Sequence, residues 1–279
     1  MRFAPYNPSP YSAKTITHAL LTPAITGTDA RNQLHPQKKK VPPKHRFEKC
    51  ALFVPPKDTK GPGCIFSPAQ PEGVPGPRFV RGVRDNQILI FAAGYCPEKK
   101  GGERGEGGGE GGGGAGCAFT FRPPGWSRKD VFHDGTVAFR LETRGPPTPT
   151  SRASAADLHT NERAELRAVI AAFQFRRWDV EGWESVVVAT DSEYVVSGAT
   201  EKVWRWREKK WRTVRKKAVL NRDLWEVLIK VIEQIGRNGL EVLFWKIKKE
   251  DNVASGGARD ASALKEVDGE FTEYRGIEM

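Results

Sequence analysis

Apolar positions along this chain fall into two rhythms, and their order predicts a fold. Residues 87–92 read Gln-Ile-Leu-Ile-Phe-Ala, a continuous apolar run bounded by polar residues, as expected of a strand buried on both faces. Residues 117–121 and 137–141 read as two further strands, and the β-branched run at 185–190 as another interior one. Residues 161–177 change period: Leu166, Val169, Ile170 and Phe173 stand at i, i+3, i+4 and i+7, the stripe of an amphipathic helix flanked by Glu165. Residues 221–235 repeat that stripe with Leu224, Leu228, Val231 and Ile235, Asn221 placed as N-cap and Gly236 as stop. Residues 240–247 supply the last strand. Strands, helix, strand, helices, strand, helix predict an α/β fold, a mixed sheet with helices on both faces.

Composition adds boundaries. Residues 1 to about 80 are rich in Pro, Lys, Ser and Thr and lack periodic apolar positions, so the expectation is a flexible region over 1–83. A folded domain over 84–268 follows, with a Gly-rich loop insertion at 97–116 and a tail at 269–279. Mean hydropathy is −0.55 and no run of eighteen apolar residues occurs, so no membrane span is expected. The formal charge of +11 suits a polyanionic partner. Cys50, Cys64, Cys96 and Cys117 form no Cys-x-x-Cys pair and read as reduced thiols of an intracellular protein. His45 with Cys50 and Cys64 lacks a fourth zinc ligand. The basic cluster at 38–46 reads as a nuclear-import signal or a solvated linker, and a mitochondrial leader is a weaker alternative to nucleus or cytoplasm.

Three carboxylates stand where hydrolysis of a phosphodiester could use them. Such chemistry is commonly run by two Mg²⁺ ions held by clustered acids that converge at the ends of adjacent strands. Asp191 directly follows the run at 185–190, and Glu165 sits one turn into a helix. Each has a plainer reading: Asp191 as cap of the helix beginning at Ser192, Asp260 as cap of the final helix, Glu165 as a solvated acid.

Their surroundings resolve the choice by resemblance. Residues 90–96 (Ile-Phe-Ala-Ala-Gly-Tyr-Cys), 160–166 (Thr-Asn-Glu-Arg-Ala-Glu-Leu), 189–195 (Ala-Thr-Asp-Ser-Glu-Tyr-Val) and 258–261 (Ala-Arg-Asp-Ala) resemble, in that order, the active-site segments of the ribonuclease H family. The resemblance covers about 87–266. It implies a five-stranded ribonuclease H-like sheet, Mg²⁺ as cofactor, RNA/DNA hybrid as substrate, and Glu165, Asp191 and Asp260 as catalytic metal ligands. Gly94 and Cys96 keep the first motif, which sets Ala93 at the family's first aspartate. The stretch Ser255-Gly256-Gly257-Ala258 reads as a small insertion. The interval 248–259 holds no histidine, where the family's mobile catalytic histidine would lie.

A basic segment completes the picture. Residues 201–217 carry nine basic and two acidic side chains, with Trp204, Trp206 and Trp211 interleaved. Such a segment can neutralise phosphates while tryptophans pack on sugars or brace the protrusion. Similar protrusions in the family grip the DNA strand of the hybrid. The expected substrate-binding set is Asn161, Trp204, Trp206, Lys209, Lys210, Trp211, Arg212, Lys216 and Lys217, with Trp204 buried and the cations, Arg215 included, exposed. Three functions remain open: a monomeric hybrid-binding domain that cleaves poorly because of Ala93; an active ribonuclease H with Glu98, Glu103, Glu106 or Glu110 substituting; and a non-catalytic scaffold.

Overall fold

The computed structural model describes residues 49–74, 76–82, 86–97, 114–124, 135–147 and 159–273. Its centre is β4 (Gln87–Tyr95), whose period-2 alternation feeds two cores. Ile88, Ile90 and Ala92 enter one core, while Leu89, Phe91 and Ala93 enter the other. β5 (Gly116–Thr120) lies antiparallel along the C-terminal half of β4, and β6 (Thr136–Arg140) pairs with β5. On the other side β7 (Ser185–Thr190) runs parallel to β4, and β8 (Glu241–Lys246) parallel to β7. These are the five expected strands.

Three more precede them. β1 (Ala51–Leu52) adds parallel to β8 at the sheet edge. β2 (Ser67–Ala69) and β3 (Arg78–Arg81) form an antiparallel pair beside the N-terminal half of β4. The sheet therefore has eight strands and begins well before residue 84. Strands so short, separated by Pro and Gly, show no period, yet their aromatic side chains are committed. Phe53, Phe66 and Phe79 are buried with Phe91 and Trp245, Phe53 lying 5.0 Å from Trp245 and Phe79 5.4 Å from Phe91 between ring centres. Each such ring contributes about 1.5–3 kcal/mol of burial, enough to order a segment with little secondary structure. The rest of the expected flexible region, the basic cluster at 38–46 and most of the Gly-rich insertion lie outside the described residues.

Helices cover both faces. α1 (Asn161–Gln174) and α4 (Arg222–Arg237) pack on the face of Ile88, Val186 and Phe244. The short α2 (Glu193–Ser197) and α3 (Val203–Glu208), joined by a π-helical turn at Gly198–Lys202, complete that side. α5 (Ser255–Ser262) covers the opposite face through Ala254 and Ala258. α1 starts where Thr160 Oγ1 accepts from Arg163 N at 3.2 Å. Asn221 does precede α4, but it is left-handed (φ 54°) and its side chain caps nothing. Its amide instead accepts from Arg163 Nη1 and donates to Tyr194 Oη, both at 3.3 Å. α4 also runs through Gly236 to Arg237, because Ile235 and Gly236 are buried together. The expected tail is docked at its start: Thr272 accepts from Arg167 Nη2 at 2.6 Å through its carbonyl, and the Phe271 ring lies 4.4 Å from the Arg167 guanidinium. Arg167 is buried against Glu142 beneath it.

Candidate nucleic-acid interface and acidic pair

Glu165 and Asp191 reach the same point because two segments are forced together. The Gly94 Cα faces the first turn of α1 so closely that a Cβ there would lie 2.1 Å from Glu165 N. Only glycine permits that approach, and it draws α1 onto the end of β4. Asn161 Nδ2 donates to Glu165 Oε1 at 2.6 Å, and its Oδ1 accepts from Cys96 N at 3.3 Å, tying the same two elements a second time. From β7, Ser192 Oγ donates to the other oxygen, Oε2. The same hydroxyl accepts from Val195 N at 3.2 Å and so caps α2. Ser192, not Asp191, is the cap, which frees the Asp191 carboxylate for the site. Burial raises the Glu165 carboxyl to about 7, helped by the charges of Asp191 and Glu162 and opposed by the bonds from Ser192 and Asn161.

Asp191 has a partner that sequence reasoning missed. Asn252 is buried and its Nδ2 donates to Asp191 Oδ1 at 2.7 Å and to Ala92 O at 3.0 Å. Its Oδ1 accepts from Ala254 N at 3.2 Å. One amide thus pins the end of β7, the residue before Ala93 and the start of α5. The local signal is a lone Asn shortly before a helix start, in the interval 248–259 that holds no histidine.

Ala93 and Asp260 behave differently from the pair. Ala93 is 3% exposed and belongs to an apolar cluster with Ala118, Ala189, Ala254 and Ala258. Asp260 is exposed, five residues past the start of α5, and neither caps that helix nor acts among the charges that perturb Glu165. The stretch Ser255-Gly256-Gly257-Ala258 forms the first turn of α5. It is helical because Gly257 passes Thr136 Cγ2 and Ala118 Cβ with room for little more than hydrogen; a Cβ would meet them at 3.1 and 3.2 Å. Among the described residues no group of three or more His, Cys, Asp or Glu side chains is placed to hold a metal ion. Glu165 and Asp191 are hard oxygen donors suited to Mg²⁺, and each carboxylate accepts a hydrogen bond from a neutral side chain. The glutamates of the Gly-rich insertion, Glu98, Glu103, Glu106 and Glu110, lie outside the described residues.

The basic segment forms α3 and a hairpin beyond it. Trp204 and Trp211 are buried and Trp206 is half-buried, its ring 5.7 Å from that of Trp225. The two buried rings brace the segment against the core. Trp211 N donates to Trp206 O at 2.7 Å, and Val219 N to Trp211 O at 3.2 Å, which clamps the base of the hairpin. Arg212 pairs with Ala218 across it, and Thr213 N donates to Lys217 O at 2.9 Å. Lys209, Lys210, Arg212, Arg215, Lys216 and Lys217 are all exposed. Arg212 Nη1 is turned inward to Lys216 O at 3.0 Å, so that cation also stiffens the turn.

Comparison with known proteins agrees with this frame. The ribonuclease H family model, described as RNase H, matches residues 127–238. A ribonuclease H of Cyanothece sp. is 39% identical over 112 residues, covering 40% of this chain and 62% of the relative. A ribonuclease H of Vibrio campbellii is 32% identical over 108 residues, covering 36% of this chain and 68% of the relative. Against the first two curated relatives the chain spans 62% and 58% of their lengths. A solved structure, LC9-RNase H1, a type 1 RNase H with the type 2 active-site motif, aligns with TM-score 0.39 and 23% identity over 69% of this chain and 79% of that one. With four motif segments in order and a ribonuclease H relative 32% identical and covered to 68% of its length, the chain belongs to the ribonuclease H family.

Proposed function

We propose that this chain binds RNA/DNA hybrid through its basic hairpin and cleaves the RNA strand poorly or not at all. The reading is supported by one observation: Ala93, which the resemblance sets at the family's first aspartate, is an alanine buried in a cluster with Ala118, Ala189, Ala254 and Ala258, while Asp260 is exposed. Two-ion hydrolysis needs several carboxylates sharing the ions, and losing one costs about tenfold in rate for every 1.4 kcal/mol of lost transition-state stabilisation. The hairpin, by contrast, is intact as a phosphate-binding surface: its cations are exposed on a turn braced by buried tryptophans. Curated relatives are named ribonuclease H, which fixes the substrate class to be tried first.

The test pairs the protein with an Ala93→Asp variant on labelled hybrid in Mg²⁺, reading binding and cleavage separately. Binding by both with cleavage by the variant alone is the expected result. Equal cleavage by both would mean that another acid has taken the missing place. Absence of hybrid binding by either would leave a scaffold role instead.

A further inference from the structure

β4, β7, β8 and β1 lie side by side in that order and all run parallel, so their C-terminal ends share one rim of the sheet. In open sheets with helices on both faces, ligands meet the chain beyond the carboxyl ends of such strands. The first two ends carry the acidic pair: Asp191 directly follows β7, and Gly94 of β4 abuts the turn that bears Glu165. The other two carry lysines. Lys246 closes β8 opposite Thr190, the residue before Asp191, and Ile247 N donates to Thr190 O at 3.0 Å. Lys248 and Lys249 follow it, and Lys57 and Lys60 stand on the chain that leaves β1. All five are exposed.

Packing holds the two lysine-bearing segments against each other. A Cβ on Gly61 would lie 3.2 Å from the Asp251 carboxylate, so the residue after Lys60 meets the turn formed by Lys249–Asp251. Phe53 and Phe66, which bracket Lys57 and Lys60, lie 5.0 and 6.3 Å from the Trp245 ring of β8. Three carboxylates accompany the five lysines, Asp58, Glu250 and Asp251, which leaves a net +2. Glu250 is 4.0 Å from Lys248, and Asp251 is half-buried against Gly61. Lys57, Lys60, Lys246 and Lys249 pair with no carboxylate among the described residues, whereas the exposed Arg144, Arg177 and Arg207 each have one. Exposed lysines are ordinarily a solvated face; these differ in where they stand. Neighbouring strands are about 4.8 Å apart, so the ends of β8 and β1 lie within about 10 Å of β7. A nucleic-acid strand advances about 3.4 Å per nucleotide, so one whose phosphate reaches the acidic pair carries roughly three further phosphates across the lysines.

We propose that Lys57, Lys60, Lys246 and Lys249, at the ends of β1 and β8, form a second phosphate-binding surface, which carries the RNA strand of the hybrid past Glu165 and Asp191. The proposal rests on the hybrid-binding reading above and deepens it, by adding a surface separate from the hairpin and naming the strand it holds. It also gives the segment after β1 a part in binding. Such a surface contributes affinity and register without sequence preference, because phosphate contacts carry none.

The experiment is a salt series of hybrid binding by fluorescence anisotropy. Four full-length proteins are compared: wild type, Lys57→Gln/Lys60→Gln/Lys246→Gln/Lys249→Gln, the same four positions changed to Arg, and the hairpin variant Lys209→Gln/Lys210→Gln/Arg212→Gln. Each phosphate contact removed lowers the slope of log affinity against log salt by about 0.9, so the four glutamines should lower it by roughly 2 and the four arginines should keep the wild-type slope. A second arm locates the strand. Iron–EDTA tethered to the exposed thiol of Cys64, on the same segment, should cut mainly the RNA strand, and the cuts should vanish in Cys64→Ser. A hairpin variant that flattens the slope beside a glutamine variant that does not would overturn the proposal and spare the hybrid-binding reading. So would a loss of slope that arginine does not restore, which would mark altered shape rather than lost charge, and so would cutting that is absent or mainly in the DNA strand. Failure of wild type to bind, or an unchanged slope in both the hairpin and glutamine variants, would overturn that reading and the proposal with it.

Discussion

Replacing Glu165 by glutamine removes a carboxyl that burial, with the nearby charges of Asp191 and Glu162, raises from 4.5 to about 7. Between those two values the folded protein holds a proton that the unfolded chain has released. The stability this group contributes is therefore complete below about pH 4.5 and is lost as pH rises through about 7. The slope is at most about 1.4 kcal/mol per pH unit, which sums to roughly 3 kcal/mol, and partial solvent access reduces this to about 2 kcal/mol. Glutamine abolishes the dependence but carries a fixed cost. Asn161 Nδ2 can keep its bond to the glutamine oxygen while the glutamine NH₂ donates to Ser192 Oγ, whose hydroxyl can turn to accept, so whatever fixed cost the amide carries does not vary with pH. The diagnostic is thus a difference of slopes. Urea unfolding in chelator, from about pH 5 to about pH 8, is measured for both proteins, and contributions from Glu181 and Asp179, whose carboxyls are held low, cancel on subtraction. Wild type should lose about 2 kcal/mol relative to Glu165→Gln across that range. A flat difference would mean that Glu165 titrates as an ordinary surface acid and that the enclosure described around it is wrong.

Three further outcomes follow from packing. Phe66→Ala removes a ring 1% exposed between Phe53 and Trp245 and should cost about 3–5 kcal/mol in one cooperative transition; loss of only a local signal would show that residues 49–82 do not fold with the sheet. Gly94→Ala drives a Cβ to 2.1 Å from Glu165 N and should lower stability by about 3 kcal/mol in thermal unfolding, whereas near-neutrality would deny the close approach of β4 and α1. Glu142→Ala leaves the Arg167 guanidinium buried without its carboxylate and should cost about 3–5 kcal/mol, with faster proteolysis after residue 263 as Thr272 is released; a loss below about 1 kcal/mol would contradict the burial of that pair.

Much of the scaffold was legible because long elements declare their period. β4, β7, α1 and the stripe of α4 stand close to where apolar spacing put them, and so does Glu165 at the edge of α1. What escaped has physical causes. β1, β2 and β3 are two to four residues long, too short for alternation to register, and are held by aromatic burial that depends on Trp245, far along the chain. Asn221 looked like a cap by type and position, but Arg163 and Tyr194 compete for its amide. Helix at Gly256 and Gly257 runs against propensity, and close packing of Gly257 on Ala118 accompanies it. Asn252 acts only through a tertiary contact with Asp191, which no spacing rule reveals.

The partnership of β1 with β8 has a consequence for how the chain is born. Ala51 meets Leu243, so once β1 has left the ribosome it finds this neighbour only after about 190 further residues have been made. Phe53 and Phe66 must wait as long for Trp245. Until then a greasy leading segment is unsheltered, exposed to chaperones and to other nascent chains. Completion of the outermost rung is a late, non-local event of the kind that slows folding. A pulse-labelling experiment on refolding should find the amides near residue 53 protected last, after the central strands have already closed.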